Sequence, residues 1–212
     1  VIEVNPEALD IAAALDAGVI RADERWNTTS FRVGPKAIRD VHPKPHMTTG
    51  EIIKFSSNTG VVRVAQRLGK VALGEALRRY GFAKRTGIEL AGERDGFLRD
   101  PNKWRDIEMA TIAFGYGLTV TPLQLASALA AVGNGGEYNP PRLIEAVTAA
   151  DGTVAQLHQP APTRVMSKTT AEAMLPMLAS VFEKRDWRNK IEGGTAGSID
   201  VPGFRCGGKT GT

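Results

Sequence analysis

Apolar and polar positions alternate at helical spacing along most of this chain, with turn residues between the periodic stretches. Asn5-Pro6-Glu7 reads as a helix start, with Asn as cap, Pro at the first helical position and an acid in the first turn. Ala8 to Ala17 fills that helix and Gly18 stops it. Phe31 to Ile38 predicts a short hairpin turning at Gly34-Pro35, and His42-Pro43-Lys44-Pro45-His46 a rigid loop. Thr48 with Glu51 forms a capping-box pattern for a short helix into Lys54-Phe55. A second helix follows Ser56-Ser57-Asn58, runs to about Leu68 and closes at Gly69. A third covers about Val71 to Tyr80. Gly87 to Pro101 is turn-rich. Thr121-Pro122 caps a helix from Leu123 to Val132 that Gly133 closes. Arg142–Thr148 and Thr153–Leu157 predict a hairpin across Asp151-Gly152. Ser167 caps a helix to about Phe182, residues 184–198 read as a mobile loop, and Val201–Cys206 as a strand running into Gly207-Gly208-Lys209-Thr210-Gly211-Thr212. Helices dominate, with strands towards the two ends, so the expected class is α+β rather than a doubly wound parallel sheet.

Length and composition narrow the picture further. At 212 residues, 42% hydrophobic and 24% charged, the chain suits one domain, or one plus a small lobe, with a core that needs no staples. No apolar run approaches the ~18 residues of a membrane span. The chain opens on Val rather than Met, which reads as a processed or partial chain. A lone cysteine, Cys206, excludes an internal disulfide framework and a cysteine-based zinc site. Net charge is +4, with the excess in residues 61–120. The series Arg63, Arg67, Lys70, Arg78, Arg79, Lys84, Arg85 has helical spacing and few interleaved aromatics, so it reads as a solvated helix face rather than a nucleic-acid surface.

Several groupings resemble sites and have plainer readings. His42 and His46 stand four apart, but Pro43 and Pro45 forbid a helix there, so no metal pair is expected. Glu89, Glu93 and Asp95 read as solvated loop acids, and Trp104 as a core anchor. Gly115-Tyr116-Gly117 lacks the flanking strand and lysine of a phosphate loop. No cofactor and no metal is expected.

Two short motifs carry chemistry together. Ser56-Ser57-Asn58 lies between two helices, and Lys209-Thr210-Gly211-Thr212 closes the chain 153 positions later. Alone, the first is an ordinary cap and the second an ordinary turn. In this order they match two of the three elements of serine acyl-transferases that handle penicillin, Ser-Asx-Asn and Lys-Thr-Gly. The run Ala110 to Ala126, reading ATIAFGYGLTVTPLQLA, resembles a signature segment of the penicillin-binding transpeptidases. Gly133-Asn134-Gly135-Gly136, Pro141-Arg142, Phe31-Arg32-Val33 and Ile38-Arg39-Asp40 also fit. From about Ile11 to Thr212 the chain resembles a class B, monofunctional, division-type peptidoglycan D,D-transpeptidase.

That resemblance implies a penicillin-binding transpeptidase fold, an antiparallel sheet flanked by helices plus a helical lobe, incomplete at both ends. The helical lobe would cover about 48–135 and the sheet-lobe elements about 140–212. It also implies two-step acyl transfer, in which a serine attacks a D-Ala-D-Ala stem peptide, releases D-alanine and passes the acyl group to an amine of another stem. In that scheme Ser56 relays a proton between the nucleophile and Lys209. Asn58 orients the activating lysine and bonds substrate, while Lys209 supplies fixed positive charge. Thr210 and Thr212 bind the terminal carboxylate, and Gly211 leaves room for substrate along the strand. The Thr212 backbone N–H forms half of an oxyanion hole. Ser56 and Lys209 should therefore meet at around 3 Å. Implied partners are stem peptides, the lipid-linked precursor, β-lactams as covalent inhibitors, and division or cell-wall synthesis proteins. The implied place is the periplasmic face of the cytoplasmic membrane, reached through an N-terminal anchor, with no nucleic acid involved.

One element departs from the family pattern. No serine in the chain is followed by lysine three residues on. By the register of Ile11 to Gly18 the nucleophile falls at Val4 and its lysine at Glu7, so the chain as written is expected to be inactive. The alternatives are a non-catalytic binding relative and, less favoured, a β-lactamase, for which nothing marks a deacylating base and where Ser57 replaces an expected Asp. Cys206, three before Lys209, would face away from it on a strand and reads as core.

Overall fold

The computed structural model describes residues 6–156 and 160–211. Val4, Asn5, Leu157 and Thr212 lie outside the described residues. Helix α1 (Glu7–Asp16) is buried on every side from Glu7 to Ala14, which marks a central rather than a surface helix. Its alanines 8, 12, 13 and 14 are at most 2% exposed, and this small-residue helix packs against four others. Pro6 is its cap position and Glu7 its first residue, one position later than the expected Asn5 cap and Pro6 start. At the other end Gly18 takes φ 67°. Its N–H donates to Leu15 O and that of Val19 to Ala14 O, closing the helix as the sequence predicts.

Strands β1 (Arg25–Asn27), β2 (Phe31–Val33), β3 (Lys36–Ile38) and β4 (His46–Thr48) follow, pairing antiparallel as β1 with β4 and β2 with β3. The β2–β3 hairpin turns at Gly34-Pro35 as expected. The predicted short helix is α2 (Thr49–Phe55), with the Thr48–Glu51 capping box formed. Then come α3 (Asn58–Leu68) and α4 (Lys70–Arg79), separated by Gly69 at φ 86°. Strand β5 (Phe97–Leu98) pairs with β6 (Leu118–Thr119) around a 3-10 turn and α5 (Asp106–Ala113), a helix the sequence reading does not anticipate. Arg105 and Glu108 start α5, not one of the usual small polar caps, so the signal is weak. Helix α6 (Pro122–Gly133) carries the Thr121–Gln124 capping box. Strand β7 (Glu137–Tyr138) pairs with β10 (Thr163–Arg164), and β8 (Ala146–Thr148) with β9 (Val154–Gln156), the expected hairpin in a shorter form. Helix α7 (Lys168–Ser180) is capped by Ser167. The class is α+β, with every described sheet antiparallel and two-stranded.

In the core, α1 lies against α2, α3, α4 and α7, α3 against α5, and α6 against α7. Three readings need correction. Val201–Cys206 and the Lys209 segment are irregular rather than strand, because no neighbouring strand among the described residues lends them a ladder. Cys206 is correspondingly half-buried, not core. The basic series is largely solvent-facing, as expected, with Arg67, Arg78, Arg79, Lys84 and Arg85 exposed and Arg63 and Lys70 half-buried, yet most of its charges also have partners. Arg63 stacks on Phe31 and Arg67 on Trp26, each with its guanidinium carbon 4.1 Å from the ring centre. Lys70, Arg78 and Arg79 donate to the carbonyls of Trp104, Leu98 and Val165, and Arg85 pairs with Asp95. These cations tie helices to neighbouring loops, as long side chains with apolar stems can. Finally, the 184–198 segment is anchored by Ala196, 2% exposed, and by bonds from Ala196 N to Val181 O and Thr195 N to Lys54 O. Trp187, in the same segment, is 80% exposed.

Candidate active site

Ser56 closes α2 in the left-handed region, at φ 54° and ψ 59°, a conformation that a non-glycine residue holds only when its surroundings impose it. Those surroundings are visible. Ser57 caps α3 one residue on, its Oγ accepting from Gly60 N. Gly60 has no side chain to spare: a Cβ there would lie 2.6 Å from Ile52 Cγ1, so α3 starts tight against α2. Asp40 completes the brace. Its Oδ2 accepts from Ser57 Oγ at 2.7 Å and lies 2.7 Å from Thr59 Oγ1, and its Oδ1 accepts from Thr59 N at 2.8 Å. In the sequence Asp40 stands out only as the last residue of Ile38-Arg39-Asp40. An acid just after a strand, facing a Ser-x-Thr helix start, is the signal that could have assigned it.

Lys209 arrives from the far end of the chain. Its Nζ donates to Ser56 Oγ at 2.7 Å, matching the spacing expected from the two motifs. Nζ also donates to Thr210 O at 2.9 Å and lies 3.3 Å from Glu7 Oε2. Ser56 Oγ donates to the same Glu7 oxygen at 3.2 Å. The Lys209 and Glu7 side chains are 4% and 1% exposed, so this is a buried ion pair with a serine hydroxyl bridging it. The sequence register shows Glu7 reversing a charge. Its direct partnership with Lys209 and Ser56 is a finding of the structure. Thr210 Oγ1 donates to Thr195 Oγ1 at 2.9 Å, a partner the sequence reading misses. Gly211 faces open space. Asn58 donates to Arg39 O at 3.3 Å and lines a neighbouring cavity.

Asp10 sits one turn after Glu7, fully buried, with no hydrogen-bond partner on either carboxylate oxygen. Burial, then the Glu7 charge, pushes its pKa well above the ordinary 3.8. An acid with a raised folded-state pKa contributes stability that is complete below its ordinary value and lost as pH climbs through the raised one. Asp10→Asn removes that loss. At pH 7 the variant should be more stable by about 1–3 kcal/mol in urea unfolding, and the gain should vanish below about pH 4. A variant no more stable than the parent at pH 7 rules the assignment out.

The remaining groupings resolve simply. No group of three or more His, Cys, Asp or Glu side chains suited to a metal ion occurs among the described residues. Glu93 is a loop brace, accepting from Thr86 N and Gly87 N, and Glu89 accepts from Leu143 N. Trp104 is 2% exposed, a core anchor with its Nε1 donating to Arg99 O.

The sequence profile of the penicillin binding protein transpeptidase domain matches residues 8–212. The chain belongs to this family. It is 35% identical over 205 residues to the penicillin-binding protein PbpB of Mycolicibacterium smegmatis, covering 95% of this chain and 31% of that protein. Against the peptidoglycan D,D-transpeptidase FtsI of Escherichia coli the identity is 33% over 203 residues, covering 95% and 31%. The structure of penicillin binding protein 3 from Mycobacterium tuberculosis, in its apo form, superposes with a TM-score of 0.89 at 32% identity, covering 99% of this chain and 48% of that one. The same protein complexed with ampicillin gives 0.90 at 32% identity, covering 99% and 47%. The chain thus spans about a third of the length of the curated relatives it matches. No described helix is long and apolar enough to cross a membrane.

Proposed function

We propose that this chain is the peptide-binding part of a peptidoglycan D,D-transpeptidase, of the division type, working on stem peptides at the periplasmic face of the cytoplasmic membrane. The observation that carries this reading is the 2.7 Å contact between Lys209 Nζ and Ser56 Oγ, made across 153 residues in a chain of the transpeptidase family. Two motifs that are ordinary when apart become a cation–hydroxyl pair suited to relaying a proton and holding a carboxylate. In this reading Asn58 bonds the substrate backbone, while Thr210, Gly211 and Thr212 receive the terminal D-alanine. The anchor, the lipid-linked precursor and division partners belong to the longer protein that the relatives imply.

The covalent step is a separate matter. Acyl transfer needs a serine hydroxyl and a near lysine as one unit, and the register puts Val4 and Glu7 in those places. A buried carboxylate at position 7, paired with Lys209, can neither accept an acyl group stably nor act as that lysine does. The chain as written therefore binds peptide without forming an acyl-enzyme. Intact-mass spectrometry after incubation with a labelled penicillin tests this: no mass gain is expected, against a stoichiometric adduct on an active family member run in parallel. A stoichiometric gain on this chain overturns the reading, and mapping the labelled peptide would identify the overlooked nucleophile.

A further inference from the structure

Beside Asn58 a cavity of ≈ 330 Å³ opens between β3 and the segment after α5, lined by Lys36, Ala37, Ile38, Arg39, Asn58, Phe114 and Tyr116. Its composition is one-sided. Two cations line it and no acid does. Neither the Lys36 ammonium nor the Arg39 guanidinium makes an ion pair or hydrogen bond among the described residues, whereas Arg67, Lys70, Arg78, Arg79 and Arg85 are engaged with neighbours. The nearest acid in sequence, Asp40, has both carboxylate oxygens engaged by Ser57 and Thr59.

The walls are built to stay in place. Ile38 is 3% exposed and pins β3, which is held to β2 by pairing from Phe31↔Ile38 to Val33↔Lys36. Phe31 in turn carries the Arg63 guanidinium on its ring. Across the cavity, Phe114 and Tyr116 meet edge to face, ring centres 5.8 Å apart, with Tyr116 56% exposed. Asn58 uses one amide N–H on Arg39 O, leaving its other N–H and its oxygen for a ligand. Ser56, two residues earlier, contacts Lys209, so one short segment joins the cavity to the candidate active site.

Two free cations, an aromatic wall and an amide select an anion on an extended, partly apolar chain. We propose that this cavity is a carboxylate-selecting subsite, in which Lys36 and Arg39 take the free side-chain carboxylate of the diamino-acid residue of a stem peptide while its aliphatic stem lies on Tyr116. The inference rests on the peptide-binding reading above and adds which peptide is preferred.

The test is a binding titration of the full chain with three stem pentapeptides ending in D-Ala-D-Ala. Their third residue is diaminopimelate with its side-chain carboxylate free, the same residue with that carboxylate amidated, or lysine. The peptide with the free carboxylate should bind about tenfold tighter than either peptide lacking it, two partly exposed charge contacts being worth a few-fold each. Lys36→Gln with Arg39→Gln should level the three at the affinity of the peptides lacking that carboxylate, and Lys36→Arg with Arg39→Lys should keep part of the preference. Because both positions are exposed, retained binding of the two peptides lacking the carboxylate certifies the fold of each variant. Equal affinities in the parent chain, or a preference that persists in the Gln variant, overturn the subsite alone. No binding of any of the three overturns the peptide-binding reading and this inference with it.

Discussion

Exchanging Val4 for Ser together with Glu7 for Lys, in the full-length protein, is expected to give a single stoichiometric penicillin adduct at position 4, where the proposed reading expects none for the parent. The expectation comes from where Glu7 sits. Its carboxylate lies 3.2 Å from Ser56 Oγ and 3.3 Å from Lys209 Nζ, so an amine introduced there enters an existing proton path. Two ammonium groups that close repel, which lowers the pKa of one of them and favours the neutral amine that a general base requires. Asp10, pushed upward in pKa partly by the Glu7 charge, would be relieved by the same exchange. Nucleophile and base work as a unit, so either substitution alone should give nothing measurable. Loss of one member typically forfeits on the order of 10⁶ in rate. Intact mass and peptide mapping with a labelled penicillin read the result directly. If the doubly substituted, folded protein stays unlabelled, the register drawn from Ile11 to Gly18 is wrong, and Glu7 is not the family's lysine position.

Local chemistry made most of the helices legible. Thr48 with Glu51, Thr121-Pro122 with Gln124, and Ser167 each cap a helix in the structure by the hydrogen bonds their side chains predict. Gly18 and Gly69 end helices because they accept positive φ. The failures have a common cause, which is dependence on a distant partner. Val201–Cys206 has strand composition, but a strand needs a neighbour to pair with, and composition says nothing of that neighbour. The Arg63 to Arg85 series is largely exposed, as its spacing predicts, yet what its charges reach was not legible: the Arg63 and Arg67 guanidinium groups lie over Phe31 and Trp26, and Lys70, Arg78 and Arg79 reach the Trp104, Leu98 and Val165 carbonyls in other elements. The candidate site divides the same way. Ser56, Asn58 and Lys209 were legible as motifs, and the meeting of Ser56 with Lys209 followed from the chemistry they share. The Asp40 brace and the Glu7–Lys209 pair are contacts across 17 to 202 positions, which periodicity cannot register.

Removing Lys209 should cost this fold more than any other single change at the site. Lys209→Met takes the cation off a pair whose side chains are 4% and 1% exposed, and leaves Glu7 buried one helical turn from an equally buried Asp10. Breaking a buried pair from one side typically costs about 3–5 kcal/mol, because the remaining charge keeps its desolvation penalty and loses its compensation. The pair itself carries far less net stability, since its attraction mainly offsets the burial of both charges. Adding Glu7→Gln to Lys209→Met should therefore recover most of the loss, to within about 1–2 kcal/mol of the parent, even though two native side chains are now gone. Urea unfolding of the parent, the two single variants and the double variant forms the cycle. A coupling of several kcal/mol with near-recovery in the double variant matches the buried pair. Additive losses would mean that Lys209 stabilises the fold through Ser56 and the Thr210 carbonyl rather than through Glu7. The distinction bears on chemistry as well as stability: a lysine neutralised by Glu7 is a weaker anchor for a substrate carboxylate than a free one. Glu7→Gln alone should then tighten D-Ala-D-Ala peptide binding while Lys209→Met abolishes it.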